Sequence, residues 1–327
     1  MQKINALVCA APGELAVEKR GTPVPGPGDA LVRPRRIGIC GTDYHIYEGK
    51  HPFLRYPRVM GHELAVEIVE APEGSGFATG EICSVNPYLS CGNCRTCNAG
   101  RLNCCENISV LGVHRDGGMA ELFTLPAKNL LKADGLSADA CAVIEFLAIG
   151  AHAVRRALPG AGDSVLVVGA GPIGLGVALF ARLTGALVQL RDLDEDRAAR
   201  VAEIAGVPAL DAAKRDYTFV FDATGSRAAM QDSFDHVAPG GTYVMVGVVN
   251  DTISFSDPDF HRKEMTLKGS RNATTEDFQR VIEAVRAGEV DVDVIITHRT
   301  SLEGAARDLV TWATDKGGLI KAVIQID

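Results

Sequence analysis

The sequence predicts an α/β protein of about two domains, one β-rich with long loops and, after it, one a doubly wound parallel sheet. Three observations carry that prediction. The chain has 327 residues, 46% hydrophobic and 23% charged, which is the composition and length of roughly two globular domains. Up to about residue 150, short alternating segments such as 30–39 and 64–69 are broken by Gly and Pro, as in a β-rich domain. From Ser164 onward, continuous apolar stretches alternate with helical ones, as parallel strands buried on both faces do.

The elements follow in order. Residues 4–11 are apolar and run into Pro12 and Glu14, which favours a first strand and turn over a signal core. Residues 164–169 read as a strand, 173–184 as a helix, 187–191 as a strand, and 194–205 as a helix opened by an acidic first turn. Further strands are expected at 217–222, 241–248 and 265–269. A helix at 301–312 and a strand at 320–326 no longer fit the alternation. The uncharged run 164–181 approaches a membrane span in length, but Gly169, Gly171, Pro172, Gly174 and Gly176 divide it into strand, turn and helix.

Charge narrows the partners. With 33 Lys+Arg against 41 Asp+Glu the net charge is −8, so no basic surface is expected to hold nucleic acid or anionic lipid. The expected setting is a cytoplasmic protein without membrane contact, where clustered thiols are metal ligands before they are disulfides.

Cys91, Cys94 and Cys97 are each separated by two residues, and Cys105 follows after seven more. Thiolates so spaced can converge on one tetrahedral ion, and a closed four-sulfur shell marks structural zinc. Cys104 competes with Cys105 for the fourth position. Cys9, Cys83 and Cys141 fit no pattern and read as small buried hydrophobes.

A second set is more dispersed. Cys40, with Thr42, Asp43 and His45 just after it, and the Gly61-His62-Glu63 triplet offer a thiolate, an imidazole and a carboxylate. Such a mixed shell can leave zinc a position for a substrate oxygen. Glu145 adds an acid to the otherwise apolar stretch 140–150, where burial is costly without a cation or donors.

Gly169, Gly171, Pro172, Ile173 and Gly174 follow a strand and open a helix, the context in which a glycine-rich turn binds a dinucleotide. The helix start favours pyrophosphate charge. Asp192 ends the next strand, placed to accept from an adenosine ribose, so NAD is expected rather than NADP. Strand alternation points the neighbouring Arg191 away from it.

These three constellations, in this order, resemble the zinc-containing medium-chain dehydrogenase/reductase family, the zinc alcohol dehydrogenases, over nearly the whole chain. The likeness is nearest to the polyol, threonine and sugar-acid branch. It implies a GroES-like catalytic domain over residues 1–149 and 289–327 with a structural-zinc lobe, and a Rossmann domain over 150–288. It implies that Cys40, His62 and Glu63 hold the catalytic zinc, with Glu145 either ligating directly or ordering the zinc water. Thr42 and His45 would relay the substrate proton, and Asp43 would orient a ligand. Arg197, Val248, Ser270 and Arg271 would join the glycine turn and Asp192 at the cofactor. The stretches around His114, Gly117 and Gly118, and from Gly269 to Thr274, look like members that act on sugar acids such as galactonate or idonate.

Two departures stand out. Gly80-Glu81-Ile82-Cys83 replaces the family's Gly-Asp-Arg-Val, and residues 208–216 stand where the family has a longer segment with another helix. The expected activity is zinc-dependent oxidation of a secondary alcohol of a polyol or sugar acid by NAD, in a homodimer or homotetramer joined through residues 241–269. Tyr47, His51 and His114 leave a primary-alcohol or amino-alcohol substrate open. A dinucleotide-binding protein without turnover and an iron-binding electron carrier are the readings from other classes.

Overall fold

Strands with alternately buried positions build the first of two compact units, which comprises Met1–Glu145 and Ile282–Asp327. The computed structural model describes residues 3–51, 54–208, 210, 216–315 and 317–327. β1 (Lys3–Ala11) folds back on β2 (Glu14–Gly21). β3 (Asp29–Ile39) runs directly into the short helix α1 (Gly41–Tyr47), and β4 (Arg58–Val59) pairs with β1. β5 (Glu63–Glu70) and β6 (Ile82–Val85) continue the main sheet. β7 (Tyr88–Leu89) and β8 (Ser109–Val110) form a two-stranded ribbon that brackets α2 (Arg95–Asn98) and the four cysteines. β9 (Phe123–Pro126) and β10 (Leu130–Lys132) precede α3 (Ala138–Ala157), in which the chain leaves this unit.

The second unit, Phe146–Val281, alternates strand and helix. It comprises β11 (Ser164–Val168), α4 (Pro172–Leu183), β12 (Leu187–Arg191), α5 (Glu195–Ala205) and β13 (Tyr217–Asp222). It continues with α6 (Arg227–Asp232), β14 (Val237–Met245), α7 (Asp257–Arg262), β15 (Thr266–Gly269) and α8 (Thr275–Arg286). All pairings are parallel, in the order β12-β11-β13-β14-β15. The switch point therefore lies between β11 and β13, and ligands of such sheets bind beyond the carboxyl ends of the strands there.

The chain then returns to the first unit with β16 (Ile296–Ser301), α9 (Leu302–Thr314) and β17 (Lys321–Gln325). The main sheet there runs β10-β6-β5-β3-β17-β16, with β9 on the early part of β3. This explains why the last segments break the alternation: β17 closes the first sheet, antiparallel to β3. Among the described residues no helix is long and apolar enough to cross a membrane.

Differences from expectation have local causes. β14 begins at Val237 rather than at residue 241, because Pro239-Gly240-Gly241, a turn signal in sequence, sits at a register shift of the ladder. α9 is capped by the Ser301 hydroxyl, which accepts from Gly304 N, and so starts one residue late. Of the shortened segment 208–216, Ala209 and residues 211–215 lie outside the described residues. Among the described residues no strand stands outside β12, where a six-stranded doubly wound sheet has one. Side chains tie β12 back into the unit: Tyr217 on β13 donates to Gln189 at 2.6 Å, and Arg191 meets Asp232 of α6 at 3.0 Å.

Candidate functional site

β3 lies between β5 and β17, and its register brings three distant parts of the chain together. Gly38 pairs with Glu63 on one side and with Val323 on the other, so Glu63 and Lys321 lie on the same sheet face as Gly38. A Cβ on Gly38 would stand 2.1 Å from Glu63 Oε2. The missing side chain is the gap through which Glu63 reaches Lys321, whose Nζ donates to both carboxylate oxygens at 2.7 and 2.8 Å and to Ile39 O at 3.2 Å. Cys40 follows β3 directly, and Cys40 N donates to Asp43 Oδ2 at 2.9 Å to start α1.

His62 is held from behind. Gly117 N donates to Val59 O at 2.8 Å, Gly118 N to Gly61 O at 3.0 Å, and Met119 N to Met60 O at 2.9 Å. The backbones approach so closely that a Cβ on Gly117 would lie 2.3 Å from Gly61 O. The donor atoms of Cys40, His62 and Glu63 consequently lie within 4.8 Å of one another. Thr42 Oγ1 is 3.7 Å from the Cys40 sulfur, and His45 lies one turn further along α1 on the same face, exposed.

The electrostatics of this cluster call for a cation. Asp43, Glu63 and Glu145 are all buried, against one buried ammonium, that of Lys321. Buried carboxylates in excess need a metal or protons. Burial opposes a charged His62, but Cys40, Asp43 and Glu145 outweigh it and hold the imidazole well above the usual histidine range. Burial, with Glu63 beside it, likewise pushes Glu145 up, while His62, Tyr88 and Lys321 oppose the rise. His62 Nδ1 and Asp43 Oδ1 are buried without a hydrogen-bond partner. A thiol, an imidazole and a carboxylate around such orphaned atoms suit zinc with one position left open. Glu145 is outside that three-donor set; its Oε1 accepts from the Tyr88 hydroxyl. On the rim, burial and the neighbouring His114, His45 and His62 lower the pKa of His51.

The four cysteines form the other cluster. Cys105 Sγ lies 3.5 Å from Cys91 Sγ and 3.9 Å from Cys94 Sγ, and Cys97 completes a set within 4.8 Å. Zinc–sulfur bonds of 2.3 Å at tetrahedral angles put sulfurs about 3.8 Å apart, so the loop is shaped for one ion. The fourth sulfur is that of Cys105; Cys104 is exposed and outside the set. Hydrogen bonds from Thr96 and from backbone N–H groups bring the Cys94 thiol down to about 5, which suits a thiolate ligand.

In the second unit the glycine turn has the shape a dinucleotide needs. Gly169 adopts φ +103°, and a Cβ on Gly174 would lie 1.8 Å from Gly169 O. Space at Gly171 is open, with nothing within 4 Å of a Cβ built there, so a pyrophosphate can approach the start of α4. Asp192 accepts from Ala170 N at 2.6 Å and Asp194 N at 3.0 Å, and Arg197 Nε donates to Ala170 O at 2.9 Å. Ser270 N donates to Met245 O at the carboxyl edge of the same sheet, with Arg271 beside it, and Val248 is exposed at that edge.

Lys321, Tyr88 and Gly38 were not marked by any motif. Lys321 carries a signal in hindsight, as a lone charge inside the apolar run 319–324.

Comparison with known proteins identifies the family. Residues 26–135 match the alcohol dehydrogenase GroES-like domain, and residues 172–287 match the zinc-binding dehydrogenase family. The chain is 43% identical over 338 aligned positions to L-galactonate-5-dehydrogenase of Escherichia coli (strain K12), covering 99% of each. Its fold superposes with a TM-score of 0.92 on the alcohol dehydrogenase rspB of E. coli CFT073 complexed with NADH, at 28% identity and 99% coverage of both chains. A zinc-binding dehydrogenase from Sinorhizobium meliloti 1021 bound to NADP gives 0.91 at 30% identity, with full coverage of both. The chain therefore belongs to the zinc-containing medium-chain dehydrogenase/reductase family and is an oxidoreductase of the zinc alcohol dehydrogenase type.

Proposed function

We propose that this protein oxidises a secondary alcohol of a sugar acid, of the galactonate kind, to the ketone with NAD. The observation that carries the reading is the 43% identity to L-galactonate-5-dehydrogenase along 99% of both chains, joined to a Cys40, His62 and Glu63 set that leaves one position open. Cys40, His62 and Glu63 hold the catalytic zinc, and Cys91, Cys94, Cys97 and Cys105 hold a structural one. When bound, zinc supplies a Lewis acid for the alcohol oxygen, and the nicotinamide dinucleotide supplies the hydride acceptor.

The chain's own residues then orient and move the proton. Thr42 Oγ1, beside the donor set, accepts it from the substrate hydroxyl, and the exposed His45 passes it to solvent. Asp43, anchored by Cys40 N and bearing on His62 through charge, sits behind the donor set and orients a ligand. Gly169, Gly171, Pro172, Ile173 and Gly174 cradle the pyrophosphate, Asp192 binds the ribose, and Arg197, Val248, Ser270 and Arg271 line the cofactor. Arg191 is engaged by Asp232 and so offers no cation to a 2′-phosphate, which supports NAD over NADP. In this reading residues 1–149 with 289–327 form the catalytic domain and 150–288 the cofactor domain.

We also read the protein as a cytoplasmic homodimer or homotetramer joined through residues 241–269. β15 offers an outer edge that pairs with no strand among the described residues. Absorbance of NADH on a panel of sugar acids, polyols, primary alcohols and amino alcohols tests the activity. Turnover confined to the last two classes, or none at all, would refute it.

A further inference from the structure

Two buried acids stand near the three-donor set, and the structure treats them differently. Glu63 contributes a carboxylate oxygen to the three-donor set, while Glu145 is outside it although it shares the charge environment of His62, Glu63 and Lys321. What distinguishes Glu145 is Tyr88. The Tyr88 hydroxyl donates to Glu145 Oε1, and both side chains are buried. A hydrogen bond from a phenol to a buried carboxyl group is of the strong, charge-assisted kind when the acid is ionised.

Tyr88 is itself immobilised. Its N–H donates to Asn86 Oδ1 at 3.0 Å, its carbonyl accepts from Asn129 Nδ2 at 3.4 Å, and it pairs with Val110 across the ribbon that closes the four-cysteine loop. A carboxylate fixed to such a post cannot turn freely toward a neighbouring cation. Were it to ligate as well, Glu145 would be a fourth protein donor beside Cys40, His62 and Glu63. Four protein donors make the closed tetrahedral shell of a structural zinc, with no position for substrate.

We propose that Tyr88 is a positioning residue that holds Glu145 back from the metal and thereby keeps the coordination position for the alcohol oxygen open. The proposal rests on the reading of Cys40, His62 and Glu63 as the metal's holders. In this proposal Tyr88 acts through Glu145, to which its hydroxyl donates.

The test uses the zinc-loaded full chain and reads zinc release to the chromogenic chelator 4-(2-pyridylazo)resorcinol. The phase absent from Cys40→Ser reports the donor set. In Tyr88→Phe, which keeps the ring and its packing, that phase should slow about tenfold while kcat falls by a similar factor, the size expected for a residue behind a metal ligand. Glu145→Gln alone should release zinc at the wild-type rate, and Tyr88→Phe/Glu145→Gln should return the slowed phase to it. Release that is unchanged or faster in Tyr88→Phe overturns the proposal, and so does a slowed phase that persists in the double variant. Faster release in Glu145→Gln alone also overturns it, because Glu145 would then already be a ligand. These readings need no turnover, so an inactive substrate panel would refute the proposed function and leave this test standing.

Discussion

The four-cysteine loop and the Cys40, His62 and Glu63 set both gather metal-binding atoms within 4.8 Å, yet they are built in opposite ways. The loop takes its ligands from 15 consecutive residues near the surface, and Cys91 is exposed. Local backbone N–H groups, such as Cys91 N and Asn107 N donating to the Cys105 sulfur at 3.3 Å, supply its remaining contacts. The mixed set is half-buried at Cys40 and buried at His62 and Glu63, and β3, β5 and β17 position it, with Lys321 reaching Glu63 across 258 residues of sequence. A closed shell on a local loop can only clamp. An open shell in the interior, surrounded by excess carboxyl groups, can concentrate charge on a reacting oxygen. Tyr88, on the ribbon that brackets the loop and bonded to Glu145, is the physical link between them.

Cys40→Ser is the largest break in this contrast. It should lower turnover about a thousandfold, the several kcal/mol a Lewis acid supplies, while NADH fluorescence shows binding retained. Loss of NADH binding along with turnover would mean the change spreads beyond the mixed set. Lys321→Met comes next. It leaves Glu63 a buried carboxylate without its ammonium and should destabilise the metal-free protein by about 3–5 kcal/mol in urea unfolding. Zinc should restore most of that loss, because the ion replaces the missing positive charge; equal destabilisation with and without zinc would separate Lys321 from the metal site. Cys94→Ser should remove one of two zinc ions per chain by metal analysis, with kcat within about tenfold of wild type. A thousandfold fall there would erase the distinction between clamp and reacting centre.

The smallest effect lies outside both clusters and serves as their control. Burial would raise the Asp277 carboxyl, but hydrogen bonds from His152, Arg155 and Thr274 outweigh it and hold it far below the usual range. A depressed folded-state pKa contributes stability above the unfolded value of about 3.9, and that contribution is lost as pH falls below it. The stability difference between wild type and Asp277→Asn should therefore shrink below about pH 4 in acid unfolding curves, with zinc content unchanged. A difference that stays constant from pH 7 to pH 3 would show that the carboxylate charge is not what matters.

What the sequence made legible was local. The cysteine spacing and the glycine turn are each contained in a short window; the four sulfurs lie within 4.8 Å of one another, and the turn lies between β11 and α4. Helix α3 was less legible, because its middle is buried all round and shows no amphipathic period. The contacts of Lys321 with Glu63 and of Tyr88 with Glu145 were invisible, since each joins strands or helices far apart in sequence. Gly38 illustrates the limit best. In sequence it is one more strand glycine, and only the register of β5, β3 and β17 reveals that its missing side chain admits Glu63.

In the proposed function the mixed set, not the four-cysteine loop, carries the oxidation of a sugar acid. That role is tested most directly by following NADH formation from L-galactonate and related sugar acids, with zinc measured on the same preparation before and after stepwise chelation. Activity should fall in proportion to the zinc phase that Cys40→Ser lacks and return when zinc is restored. Turnover that survives complete removal of that zinc would refute the role of the mixed set.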